Sequence, residues 1–258
     1  MRFVLVHGGF HGAWCWERTI PELRRLGHEA IAVELPGHGT RRDERSTLAD
    51  RRDAIVTVLQ PGDVLVGHSG GGYDATLAAD AAIDHVAHVV YLAAGLPIEG
   101  RTVLEATGGM ATSSDDGENQ VTQLMTDETG MLRSIRPDVR GRMEWVSFKG
   151  AWDFFYHDCD EETARWAFQR LTPAPVEFLT ETVSVPRFWQ ADLPRSYILC
   201  LQDRAKPHSM SEEVIERLGV EALTIDSSHS PFLSRPRELA ELLVHATTTN
   251  PIGALRPN

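Results

Sequence analysis

Lysine is almost absent from this chain. It occurs only at positions 149 and 206, so arginine supplies nearly all of the 25 basic side chains, against 37 acidic ones. The net charge of −12 leaves no basic face for a phosphate backbone, which argues against nucleic acid as a partner. It equally disfavours an anionic membrane surface, and the acidity is read as a solubility feature. The arginine bias fits a GC-rich genome and carries no chemistry.

Cysteine is scarce too. Cys15, Cys159 and Cys200 are odd in number and far apart, with no CxxC and no Cys/His ligand spacing. That pattern points to buried free thiols in a reducing compartment rather than to a disulfide scaffold or a metal site. No apolar run reaches the ~18 residues of a membrane span. The opening "MRFVLVHGG" enters a strand-like run directly, without the features of a signal peptide. Together these absences predict a cytoplasmic protein. No internal repeat is found.

What is present is ordinary globular material: 258 residues, 42% hydrophobic and 24% charged. A chain of this length buries roughly 70–75% of its unfolded surface, enough for one large domain, or one domain with an insertion. Short β-branched runs at 2–8, 29–35, 63–69, 88–94, 196–202 and 221–226 are continuously apolar. Continuity rather than alternation is the mark of parallel strands covered on both faces. Helical stretches lie between them. "TLADRRDAIVTVL" starts beside Ser46 and Thr47 as N-cap candidates, "SEEVIERLG" opens at Ser211 and stops at a glycine, and "PRELAELLVHAT" closes the fold. The alternation predicts an α/β fold with a mostly parallel, doubly wound sheet of about six strands.

The alternation breaks between about Gly100 and Ala191. This segment carries a polar loop, "TSSDDGENQ", and an aromatic-rich part with Trp145, Trp152, Phe155, Tyr156 and Trp166 among others. It is read as a helical cap of residues 101–191 inserted into a core of residues 1–100 and 192–258. Part of that aromatic content serves the cap's own core, and a lid over an apolar pocket needs the same composition.

The densest signal is "VLVGHSGGG", in which Gly67, His68, Ser69, Gly70 and Gly71 form a G-x-S-x-G on a strand–turn–helix. A serine nucleophile held out from a strand tip needs tiny neighbours, and this context fits a nucleophile elbow. No phosphate-loop pattern competes for the glycines. A hydroxyl needs a base, and a base needs an orienting acid. Asp203 directly follows one strand run and His229 follows the next, in the order expected after such a serine. Asp192 lies before its strand and Asp226 only three residues before His229, so both are weaker candidates. The turn after the first strand offers the Gly9 N–H beside that of Gly70 as an oxyanion pair, with Phe10 as the alternative donor. His7 and His68 are read as structural. His11, His38, His157 and His208 show no partner pattern.

The chain resembles the α/β-hydrolase superfamily. More narrowly, it is similar to the branch holding plant methylesterases, the salicylate-binding esterase and hydroxynitrile lyases, with their bacterial relatives. The resemblance rests on "FVLVHGGFHGAWCW", "LGHEAIAVELPGHG", "VLVGHSGGG", "VVYLAAGLP", "YILCLQDRAKP" and "SSHSPFLSRPRELAELL". It spans Phe3 to Leu243 and matches poorly in the cap. It implies Ser69 as nucleophile, His229 as base, Asp203 as acid, Gly9 and Gly70 as oxyanion donors, and no metal or organic cofactor. Lyases of this branch carry threonine where Gly8 stands, which favours ester hydrolysis. Glu34 departs from the aspartate of many relatives. The expected function is hydrolysis of a small, largely apolar carboxylic ester through an acyl-enzyme. The same triad could instead serve a thioesterase, acyltransferase, cyclase or eliminating enzyme of specialised metabolism, and a receptor-like small-molecule binder is the alternative of another class. Oligomeric state is not written in the sequence; a homodimer is compatible with it.

Overall fold

The computed structural model describes residues 1–107, 131–249 and 251–258. The polar loop "TSSDDGENQ" lies outside the described residues.

Six strands form the main sheet: β1 (Arg2–Val6), β2 (Glu29–Val33), β3 (Asp63–His68), β4 (Val86–Leu92), β7 (Arg195–Cys200) and β8 (Ala222–Ile225). Their order is β2-β1-β3-β4-β7-β8, and every pairing is parallel. Each expected strand run falls on one of these six. The chain leaves β1 toward one edge to make β2 and returns to the other side of β1 as β3. That reversal creates the switch point where ligands bind in doubly wound sheets, at the carboxyl ends of the strands.

Alternate residues of the strands enter two separate cores. Phe3, Leu5, Val66 and Leu92 pack with Trp16, Leu23, Leu239 and Leu243 on one face. Val4, Val6, Leu65 and Tyr91 pack with Ile55, Ala78 and Phe188 on the other. Burying one such aliphatic or aromatic side chain contributes about 1.5–3 kcal/mol. This is why the strand sequences are apolar throughout and not on one face only.

Helix boundaries follow local chemistry. α1 spans Thr19–Arg25 and is followed by Gly27, which turns the chain out of the helix at φ +82°. α2 (Leu48–Val56) begins at Thr47, whose side chain accepts from Asp50 N while the Asp50 carboxylate accepts from Thr47 N. Between the two N-cap candidates, Thr47 is the one used. α3 (Gly71–Ala81) follows the serine turn. Arg51 of α2 and Asp74 of α3 form a buried ion pair at 2.6 Å that ties these two helices together.

The helix expected to open at Ser211 starts three residues earlier, at His208. Pro207 precedes its first turn, where a missing N–H costs nothing. Ser211 lies inside the helix, buried, and accepts from the Tyr197 hydroxyl at 3.0 Å. The helix ends at Gly219 in the left-handed conformation.

Between β4 and β7 the described residues are not wholly helical. β5 (Ile135–Pro137) and β6 (Met143–Trp145) pair antiparallel as a small ribbon. At three residues each, these strands are too short to impose a period on the sequence. The remaining elements are short, including a π-helical turn at Trp152–Tyr156 and the helix Glu161–Phe168. All three cysteines are free and buried, and no helix among the described residues is long and apolar enough to cross a membrane.

Candidate active site

Ser69 follows the last residue of β3 and precedes α3 by one residue. Its backbone sits at φ +52°, a region that costs a side-chain-bearing residue roughly 1–2 kcal/mol. The conformation is held by three main-chain bonds. Ser69 N–H donates to Leu92 O at 3.1 Å, and the Ser69 carbonyl accepts from Gly72 N and Gly95 N at 3.1 and 3.0 Å. The flanking glycines are a steric requirement. A Cβ on Gly71 would stand 2.5 Å from His7 O, and one on Gly67 would stand 2.7 Å from Gly71 O. The turn is therefore wedged between two strand ends, with Ser69 on its outer side. Gly8 presses equally close: a Cβ there would lie 2.7 Å from Ser69 Cβ and 3.0 Å from His68 Nδ1. The threonine of the lyases does not fit this backbone without a shift.

Asp203 and His229 sit in the loops after β7 and β8, at the same edge of the sheet. His229 Nδ1–H donates to Asp203 Oδ2 at 2.7 Å, and both side chains are almost wholly buried. Asp203 Oδ1 accepts from the main-chain N–H of Ala205 at 2.8 Å and of Lys206 at 3.0 Å. Burial by itself would raise the carboxyl pKa. The adjacent imidazole and these N–H donors outweigh it and hold the group below the usual carboxylate value. An ionised Asp203 fixes the proton on Nδ1 and leaves the Nε2 lone pair free. Asp226 is otherwise engaged, accepting from the Gln202 amide at 2.7 Å.

The His229 loop is braced from three directions. His68 Nε2–H donates to the His229 carbonyl at 2.9 Å, with ring centroids 4.7 Å apart. Phe155 stacks on the imidazole at 5.6 Å and an interplanar angle of 27°. Ser228 donates through Oγ to Phe155 O at 2.7 Å and through N–H to the Asp158 carboxylate at 3.0 Å. His68 thus links the serine turn to the histidine loop. No hydrogen bond joins Ser69 Oγ to His229 Nε2 in this resting arrangement, a contact that commonly closes only around substrate.

The oxyanion candidates are neighbours. Gly9 N lies 3.8 Å from where a Cβ on Gly70 would stand. His7 accepts from Leu35 N–H at Nε2 (3.2 Å), so its proton is on Nδ1, which donates to Gly8 O at 2.8 Å. The peptide that carries the Gly9 N–H is thereby held from its carbonyl side. Both ring nitrogens of His7 are therefore engaged with main-chain groups. The alternative donor, Phe10, stands at φ +66°, with its carbonyl accepting from Thr172 N at 2.9 Å.

Three contributors carry no motif of their own. Glu34 accepts from Ala13 N at 2.9 Å and Thr40 N at 3.3 Å, pinning the loop after β1 to the loop after β2. His11 donates from Nδ1 to Gly9 O at 2.9 Å. Lys206 donates to Ala94 O at 2.6 Å and Tyr197 Oη at 3.0 Å, anchoring the acid loop beside the end of β4. Burial pushes the Lys206 ammonium down to about 7, against the opposing pull of Asp203 and Glu213.

The buried histidines make a prediction about stability. Burial presses His7 to about 3 and His11 to about 4, and holds His38 and His68 well below 6.5. All are neutral in the folded state, whereas the unfolded chain takes up protons as pH falls through 6.5. The stability they permit is intact above that value and is lost as pH falls from 6.5 toward 4. Each histidine costs about 1.4 kcal/mol per pH unit in this window, so His7 and His11 alone cost about 4 kcal/mol at about pH 5. Thermal unfolding followed by circular dichroism should show a steep fall in Tm between about pH 7 and 5; a flat profile would contradict the assignment.

The alpha/beta hydrolase family model matches residues 3–242. Methylesterase 7 of Arabidopsis thaliana is 32% identical over 259 residues, covering 94% of this chain and 95% of its own. Norfluorocurarine synthase 1 of a Strychnos species is 28% identical over 255 residues, covering 93% of each chain. Among solved structures, an extracellular α/β-hydrolase from a Paenibacillus species superposes with a TM-score of 0.77 at 23% identity, covering 96% of this chain and 100% of that one. Fold, strand order and family match agree: the chain belongs to the alpha/beta hydrolase family.

Proposed function

We propose that the protein is a serine esterase that cleaves a small, largely apolar carboxylic ester through an acyl-enzyme. The observation that carries this reading is the buried Asp203–His229 pair, linked through His68 to a left-handed Ser69 at the tip of β3. Ser69 Oγ bonds to the ester carbonyl carbon while His229 Nε2 takes its proton. The oxyanion is held by the N–H groups of Gly9 and Gly70. The carbon–oxygen bond to the alcohol then breaks, and His229 returns the proton to the leaving oxygen. Water, deprotonated by His229, releases the acid from Ser69 by the reverse sequence. Asp203 keeps the ring oriented and stabilises it when it is charged.

Residues 101–191 act as the cap in this reading. Phe155 on His229, with Trp145 packed against it at 4.8 Å, gives the site an apolar aromatic wall. Such a wall suits an aromatic or cyclic group on the substrate. The methylesterase relative supports ester cleavage, and three free buried thiols support a reducing compartment.

A panel of methyl esters, aryl esters and lactones, with release of acid followed by pH-stat titration, tests the proposal. Turnover of small apolar esters is expected, and none across the panel would contradict it. The relative named a synthase favours one second reading, in which the same serine and histidine serve an outcome other than hydrolysis. Consumption of ester without incorporation of oxygen from labelled water would select that reading.

A further inference from the structure

The segment between β4 and β7 reaches the loop after β1 through a buried chain of hydrogen bonds. The Tyr156 hydroxyl lies 2.8 Å from His11 Nε2, and His11 Nδ1 lies 2.9 Å from Gly9 O. Tyr156 is wholly buried and His11 is 1% exposed, so the link between them is not shared with bulk water. The direction of the chain is dictated by its far end. A carbonyl oxygen only accepts, so Nδ1 must carry the ring proton. Nε2 is then bare and accepts from the tyrosine O–H. Burial favours the neutral form of both groups, lowering His11 to about 4 and raising Tyr156 well above its usual value.

Gly9 is thus held on both sides. His7 grips the peptide before it through Gly8 O, and His11 grips the peptide after it through Gly9 O. The next residue, Phe10, is a side-chain-bearing residue at φ +66°, so the peptide between Gly9 and Phe10 has reason to turn over once its carbonyl is released, and it would carry the Phe10 N–H away with it. Tyr156 belongs to the π-helical turn that also supplies Phe155 against His229, a distortion that recurs at functional sites.

We propose that His11, with its tautomer fixed by the Tyr156 hydroxyl, is a positioning residue for the oxyanion hole, and that this chain couples the placement of the inserted segment to the Gly9–Phe10 peptide and the Phe10 N–H it carries. The inference rests on the reading of the Gly9–Phe10 turn as the source of an oxyanion donor. Tyr156→Phe removes the O–H with little change in volume and leaves the buried Nε2 lone pair without a donor, so the Nδ1–H form that donates to Gly9 O loses the partner that fixes it.

The test is kinetic and spectroscopic. Tyr156→Phe should lower kcat by about tenfold while KM stays within about twofold, because the donor acts on charge that develops in the transition state. His11→Ala should lose as much, and the double variant little more, since both break one chain. Nitrogen-15 histidine spectra of the wild-type protein should show His11 as the Nδ1–H tautomer. Unchanged kcat in a folded Tyr156→Phe protein overturns the proposal. If that variant does not fold, the wild-type spectrum decides alone, and an Nε2–H tautomer for His11 overturns it. A wild-type protein without Ser69-dependent turnover would overturn the esterase reading instead, a result separable from the other two.

Discussion

Replacing Ser69 with alanine is expected to lower kcat for ester hydrolysis by roughly 10⁴–10⁶-fold, with Tm nearly unchanged. The size of the loss follows from the loss of the acyl-enzyme route. Without Oγ no covalent intermediate forms, and His229 and the two N–H groups can act only on a water molecule that nothing positions. The small change in stability follows from the backbone. Ser69 is held at φ +52° by main-chain bonds to Leu92, Gly72 and Gly95, and alanine at the same angle keeps all three. Its side chain makes no hydrogen bond among the described residues that the fold would miss. Steady-state kinetics beside calorimetry check both halves. Retained turnover would remove Ser69 from the mechanism. A collapse of Tm would make the kinetic loss uninformative.

Asp203→Asn should cost about 10⁴-fold in kcat with far less effect on KM. The local hydrogen bonds explain why so small a change matters. Three donors surround this carboxylate: His229 Nδ1–H, Ala205 N–H and Lys206 N–H. An amide has one acceptor oxygen. If that oxygen faces the two main-chain N–H groups, the NH₂ faces His229 Nδ1 and forces the ring proton onto Nε2. The imidazole then cannot accept from Ser69. If the amide turns the other way, its NH₂ meets two N–H donors in a buried site, which is costly. The first arrangement should prevail, with a folded protein, an inverted His229 tautomer and little turnover. Activity near that of wild type would show that Asp203 is not the orienting acid.

Much of the fold is legible because physical constraints act on contiguous residues. A strand covered on both faces must be apolar throughout, so β1, β3 and β7 stand out as runs. A serine wedged between strand ends must have glycine at 67 and 71, because any Cβ there meets a main-chain carbonyl. Asp203 and His229 are found by order, since each follows the strand that presents it. What is not legible depends on long-range partners. His11 has no signal because its partner Tyr156 is 145 residues away. Glu34 looks like a departure from a family pattern, and only the structure shows its carboxylate joining two loops. The β5–β6 ribbon is hidden by its length. The start at His208 is missed because Ser211 mimics a cap, whereas Pro207 marks the true boundary.

The central claim is that one hydroxyl, on Ser69, is the activated nucleophile. Intact-protein and peptide mass spectrometry after treatment with a fluorophosphonate measures this directly. The account predicts a single phosphonyl adduct on the peptide bearing Ser69, formed much more slowly in the Asp203→Asn protein. An unmodified Ser69, or an adduct carried only by another residue, would contradict it.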